Sequence, residues 1–250
     1  MAFTTNFQLT SDGTAAGDKA VTAMQAVCEQ DYATLKSIFG KGDVPGLPFK
    51  VIVDESAGGA YHNTCADTGI HLISEDAPSL LVAEVVECFE AQSGTWNCGF
   101  TNGEGLSRAL AEVVRPFLTL TSLDGDVQGW WNSGNPKDFV NDNSQDDQNE
   151  QANACGTLFL FYLNSLGYTW AQIAAAGGAT LGETYFKLTG SGAQSGFQAF
   201  VAALKAIPQP WIDNPFTPSP NPPPPPPPNP NPQPQGGGCN PFGFLLTLLH

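Results

Sequence analysis

Pro78-Ser-Leu-Leu-Val-Ala-Glu-Val-Val-Glu-Cys-Phe-Glu-Ala-Gln92 and Asn102-Gly-Glu-Gly-Leu-Ser-Arg-Ala-Leu-Ala-Glu-Val-Val-Arg115, separated by a Gly/Trp/Asn/Cys loop, decide how this chain folds. Leu80, Leu81, Val85 and Cys88 recur at helical spacing in the first run, and Leu106, Leu110 and Val113 do so in the second. The pattern predicts two helices joined by a short loop. Glu84 and Glu87, three residues apart, fall on one face of the first.

These two runs resemble the active-site helices of the zincin metallopeptidases. In that family H-E-x-x-H puts two imidazoles one helical turn apart to hold zinc, and the Glu between them polarises the metal-bound water. Here the pattern reads Ala83-Glu84-Val85-Val86-Glu87, which keeps the general-base position and replaces both histidines. In the thermolysin-like branch the third ligand is a Glu opening a second helix within an Asn-Glu-x-x-Ser pattern, to which Glu104-Gly-Leu-Ser107 is similar. The resemblance implies an α+β, zincin-like fold: a small N-terminal sheet with helices, then an all-helical C-terminal lobe, the site lying between them. It also implies that Glu84, Glu87 and Glu104 are the vestige of a catalytic site with no metal ligand set left. Without two imidazoles little remains to hold Zn²⁺ and lower its water's pKa toward about 7.

The expected function is therefore a catalytically inactive metallopeptidase-like domain that binds a peptide or protein. The alternative is a hydrolase in which the three carboxylates work as acid and base, or hold Ca²⁺ or Mn²⁺ in place of zinc. Carboxylates this close repel when all are ionised, so such a cluster needs a cation or a shared proton. A third reading is a structural or cargo protein with no cleft function. Residue chemistry alone also offers plainer roles. Glu84 and Glu87 fit solvated positions on a helix face, Thr101-Asn-Gly-Glu104 fits a capping box, and Glu104, Arg108 and Glu112 are spaced for i,i+4 ion pairs.

The 250 residues, 41% of them hydrophobic, suffice for one good-sized core in two lobes. We delimit a globular domain over 1–207, with an α+β lobe to about 123 and a helical lobe over 124–207. The net charge of −15, with nine Lys and Arg and no basic cluster, argues against nucleic acid as a partner. The first ten residues lack a positive, then apolar, leader pattern, and no run of 18 apolar residues occurs. The chain as given therefore reads as carrying neither signal peptide nor transmembrane segment. It leans to a cytoplasmic protein or one packaged in an assembly, and an extracellular origin stays open. Six cysteines show no C-x-x-C spacing, which argues against a cysteine-ligated zinc. Cys88 and Cys98 flank the interhelix loop: bridged, they place the chain in an oxidising compartment, and unbridged they are small core residues.

Asp18 to Phe39 is amphipathic and is stopped by Gly40 and Gly42, which predicts a helix lying across a sheet. Phe49 to Val53 predicts a strand, and the glycine-rich segment from Ala57 a loop or hairpin ending in a second strand at Ile70 to Ile73. In zincins an edge strand directly before the active helix pairs with the extended substrate. This segment holds the same position, so the resemblance puts Gly59, Ala60, Tyr61 and His71 against a peptide, by addition of a strand. The other reading is a structural hairpin. His62 and His71 lack an i,i+4 partner and read as surface or edge-strand histidines, since a metal site would need the fold to carry them to Glu84 or Glu87.

Trp130 and Trp131 offer a sugar-stacking platform, but adjacent side chains seldom face the same way, which favours one in the core. Asn141 to Glu150 is dense in oxygen ligands without EF-hand spacing and reads as an acidic loop capping the next helix. Ala154 to Leu166 is apolar all round and predicts a buried helix. Shorter helices follow at Thr169–Ala176, Thr180–Leu188 and Gly196–Lys205.

From Pro208 to Gly238 prolines, Asn-Pro repeats and a triple glycine make a disordered, extended spacer. Residues 239–250 follow, with Phe242, Phe244, Leu245, Leu246, Leu248 and Leu249. An apolar patch on a solvated leash reads as a docking peptide that tethers the domain to a protein partner. The plainer reading is that this tail folds back or is inert. The layout is similar to that of cargo proteins of bacterial nanocompartments.

Overall fold

A computed structural model describes residues 1–116, 124–145, 148–208 and 215–216. Among these residues five strands form one mixed sheet: β1 (Ala2–Phe3), β2 (Phe7–Thr10), β3 (Phe49–Val53), β4 (Ala60–His62) and β5 (Gly69–Leu72). Their spatial order is β1-β2-β3-β5-β4. β2, β3 and β5 run parallel, while β1 and β4 close the two edges antiparallel. Phe49, Val51 and Val53 of β3 are buried and alternate with exposed Lys50 and Ile52, so one face of the sheet packs and the other meets water.

Helix α1 (Ala15–Phe39) covers that inner face. Its cap, Thr14, accepts from the Gly17 amide, so the helix starts three residues before the expected Asp18, and left-handed Gly40 ends it as expected. Val21, Met24, Cys28 and Leu35 face inward. Tyr32 of α1 stacks on Phe89 of α2 (Ala77–Ser93) and meets Phe49 of β3 edge-on, which locks both helices onto the sheet.

α2 and α3 (Thr101–Val114) are the two helices expected from the opening runs, to within a residue or two. The start of α3 differs from the expected capping box. Phe100 is the cap, Thr101 lies inside the helix with its hydroxyl accepting from the Ser144 amide, and Asn143 accepts from the Asn102 amide. The acidic loop thus caps α3 from a distance, and its Asn149 caps the following helix as expected. At the other end, Arg115 grips Asp31 of α1 through two bonds of 2.8 and 2.6 Å.

The second half is helical: α4 (Asp124–Trp131), α5 (Glu150–Ser165), α6 (Trp170–Ala175), α7 (Leu181–Thr189) and α8 (Ser195–Lys205). α5 is buried along most of its length, as expected, and α6 carries a full capping box of Thr169 and Gln172. α3 and α5 cross at two glycines: a Cβ on Gly105 would stand 2.8 Å from the carbonyl carbon of Gly156. Only glycine lets the two backbones come this close. Trp130 is buried and Trp131 half-buried, with tilted rings, so the pair is no flat sugar platform.

One contiguous core runs through both halves. Phe216, within the stretch read as linker, is buried against Tyr162 and Phe200. No helix among the described residues is long and apolar enough to cross a membrane. Phe242, Phe244, Leu245, Leu246, Leu248 and Leu249 lie outside the described residues.

Candidate functional site

A cleft of about 760 Å³ lies between the edge strand β4, helices α2 and α3, and the loops that follow β4 and α2. The helical half contributes Gln148 to its lining, so the cleft belongs mainly to the sheet-bearing half. Among the described residues, β4 has a neighbouring strand on one side only. Its ladder starts with the Ile73 amide donating to the Gly59 carbonyl, which makes Gly59 and Tyr61 the residues bonded to β5. The backbone groups of Ala60 and His62 therefore turn to the open edge.

The floor is acidic. Glu84, Glu87 and Glu104 are 6%, 9% and 7% exposed, so they are not solvated helix-face carboxylates. The structure brings all three to the cleft, with Glu104 ion-paired to Arg108 at 3.5 Å. It adds a group that sequence spacing had assigned to the surface. His62 comes down from the end of β4, its side chain 5% exposed, and places Nε2 2.9 Å from Glu87 Oε2 and 3.9 Å from Glu84 Oε2. Its Nδ1 lies 3.3 Å from the Asp67 carbonyl and 3.8 Å from Cys88 Sγ.

With a carbonyl facing one ring nitrogen and a carboxylate the other, both nitrogens serve as donors and the imidazolium is favoured. Burial works against that charge. The hydrogen bonds to Cys88 and Glu87 and the negative charges of Glu84 and Glu87 outweigh it and hold His62 up at about 11. Glu84 goes the opposite way to a surface carboxylate: burial, then the nearby Glu87 charge, push it up to about 8 against the pull of His62. Its Oε2 is buried and accepts no hydrogen bond from the described residues.

Glu90, a further turn along α2, is fully buried, and neither of its oxygens has a hydrogen-bond partner among the described residues. Burial, with the charges of Glu87 and Glu104, raises its pKa well above the ordinary range. Space for this carboxyl exists because residue 103 is glycine: a Cβ there would lie 2.7 Å from Glu90 Oε2.

One alternative that the sequence left open is decided, and one expectation is corrected. Cys98 bridges Cys65, not Cys88. Cys88 is a free, buried thiol, because its place on α2 turns it toward His62 and the Asp67 carbonyl, away from the loop that carries Cys98. His71 is not brought to the cleft with Gly59, Ala60 and Tyr61. It stacks on Tyr61 at 5.0 Å on the outer face of the sheet, with Nδ1 3.8 Å from Asp54. His62 and Glu90 were legible only in part: Glu90 continues the spacing of Glu84 and Glu87, whereas no local pattern joins His62 to them.

The donors present do not fit the zinc site of the family resembled. Ala83 offers no ligand atom, and Glu87 is engaged by His62. No family model, no curated protein and no solved structure matches this chain.

Proposed function

We propose that this chain is a metallopeptidase-like domain without peptidase chemistry, which binds an extended peptide along β4. One observation carries this reading. The edge of an antiparallel strand that no described residue pairs, at Ala60 and His62, forms the wall of a cleft floored by buried carboxyl groups. An added strand would bond to those backbone groups, and Glu75 and Asp76 of the cleft lining, which make no ion pair among the described residues, favour Lys and Arg side chains. Residues 239–250, carrying Phe242, Phe244, Leu245, Leu246, Leu248 and Leu249, would tether the domain to a protein partner; a reporter fused to those residues alone tests that part.

The cleft is tested by fluorescence anisotropy with labelled extended peptides, basic and acidic. Ala60→Pro deletes an outward amide and spares the bonds to β5. We expect basic peptides to bind and Ala60→Pro to weaken them about tenfold, the worth of about one hydrogen bond. Absence of binding, or equal binding by a folded Ala60→Pro protein, would sink the idea and leave the structural or cargo reading.

A second reading rests on Glu84, a buried carboxyl in the cleft with an unpartnered oxygen and a pKa pushed up to about 8. Such a group is protonated at neutral pH and suits a general acid. Peptide cleavage followed by mass spectrometry, abolished by Glu84→Gln, would favour this hydrolase reading over the binding one.

A further inference from the structure

Beside the carboxylate floor lies a second constellation, made of three separate segments of chain. His62 ends β4, Cys65 follows in the β4–β5 loop, Glu87 stands on α2 and Cys98 sits in the α2–α3 loop. One ligand atom from each lies within 4.8 Å of all the others. We propose that these four residues form a closed zinc site, Cys65 and Cys98 with His62 and Glu87, when the Cys65–Cys98 disulfide is reduced. It is a site distinct from the positions of the H-E-x-x-H pattern, of which it uses only Glu87.

The donor set suits zinc. Two thiolates, one imidazole and one carboxylate are the ligand types this borderline-soft ion takes in four-coordinate tetrahedral sites. The second shell is also in place. A metal-bound histidine orients itself by donating its other ring N–H, and Nδ1 of His62 faces the Asp67 carbonyl at 3.3 Å, which leaves Nε2 for the metal. That Nε2 is 2.9 Å from Glu87 Oε2 and 3.9 Å from Cys98 Sγ.

The contact between Glu87 and Cys98 points the same way. Glu87 Oε2 lies 2.9 Å from Cys98 Sγ, yet a disulfide sulfur has no proton to give. A carboxylate oxygen is thus pressed against a group that cannot hydrogen-bond to it, where a divalent cation would hold both. The unpartnered Oε2 of Glu84 lies 3.9 Å from His62 Nε2, at the border of the same site.

The chemistry closes without further reactants. A dithiol reductant gives two electrons and two protons to the S–S bond, leaves as its own disulfide, and yields two thiols. Zn²⁺ then displaces both thiol protons to solvent. His62 binds as the neutral imidazole, and any proton on Nε2 leaves with them. The disulfide and the zinc are thereby alternative staples for the same two loops, one suited to an oxidising and one to a reducing compartment.

The test uses the full chain carrying Cys239→Ser, so that the tail thiol takes no part. Oxidised and dithiol-reduced samples are desalted without oxygen and titrated with Zn²⁺ and, in parallel, Co²⁺. We expect one zinc per chain in the reduced protein, none in the oxidised one, and with cobalt the sulfur-to-metal charge-transfer absorption of a tetrahedral thiolate site. Glu87→Gln should weaken zinc at least tenfold, and Cys65→Ser/Cys98→Ser should abolish binding, while Cys28→Ala leaves it intact. The comparison of redox states needs no variant, so a misfolded mutant does not blunt it. Equal zinc uptake in both states, no uptake after reduction, a cobalt spectrum without sulfur ligation, or a reduced chain that unfolds and is not restored by zinc would each overturn the site.

Discussion

His62 Nε2 and Glu87 Oε2, from an edge strand and a helix, meet at 2.9 Å in a pocket where each side chain is about nine-tenths buried. Removing one partner of such a pair leaves an uncompensated charge and costs about 3–5 kcal/mol. His62→Ala should therefore lower the free energy of urea unfolding by that order. His62→Ala/Glu87→Gln should recover a clear part of the loss, and strictly additive losses would mean that the two groups do not act as a pair.

Glu90 makes the chain sensitive to pH with a definite sign. Its folded-state pKa stands well above the ordinary value, under burial and the charges of Glu87, Glu104 and Cys88, with His62 opposing. The unfolded chain releases this proton above about pH 4.3 while the folded chain keeps it. The stability Glu90 contributes is thus full below that pH and is lost as pH rises toward the folded pKa. Glu90→Gln removes the proton from the balance. From pH 5 to pH 8 the variant should gain on the parent protein, measured as the difference in denaturation midpoints; a constant difference would contradict the burial of an acid there.

Gly105→Ala sets a methyl group against the Gly156 backbone, which has no flexible end to move aside. Overpacking of this kind costs about 1–3 kcal/mol. The same substitution at exposed Gly192, where nothing lies within 4 Å, should be close to neutral in the same denaturation assay.

The Cys65–Cys98 bridge closes a loop of sequence separation 33. Chain entropy values such a bridge at roughly 3.7 kcal/mol. Cys65→Ser/Cys98→Ser should lower stability by that order in the absence of reductant and metal. A loss below about 1 kcal/mol would show that the two loops are held by other contacts.

Much of the fold was legible because its long elements are periodic. β3 has the bounds expected of it, α2 and α3 lie within a residue or two of theirs, and α1 and α5 end as expected but begin three and four residues earlier than hydrophobic spacing put them. β1 and β2 were not legible, since two and four residues are too short for a period of two to stand out. Val113 shares the helical spacing of Leu106 and Leu110 but is exposed, because α3 is buried mainly through the glycine-rich first half that packs on α5.

The site divides in the same way. Glu84, Glu87 and Glu104 share two helices whose phase is set locally, so their convergence was readable. His62 reaches Glu87 only because the β4–β5 hairpin lays the end of β4 over α2, a tertiary event with no sequence period. Nearness in sequence left a bridge between Cys88 and Cys98 open, but helical phase turned Cys88 to the sheet and left Cys98 for a partner 33 residues away.

The bridge also gives the cleft a graded tolerance along its length. At the His62 end of β4 the strand's following loop is covalently joined to the loop after α2, so the gap there is a fixed width. At the Gly58–Gly59 end no described disulfide spans it, and the backbone carries no side chains to limit it. A guest lying along β4 would meet strict shape selection at one residue and wide latitude a few residues away, so substitutions along a bound peptide should matter unequally, most of all where its side chain sits over His62.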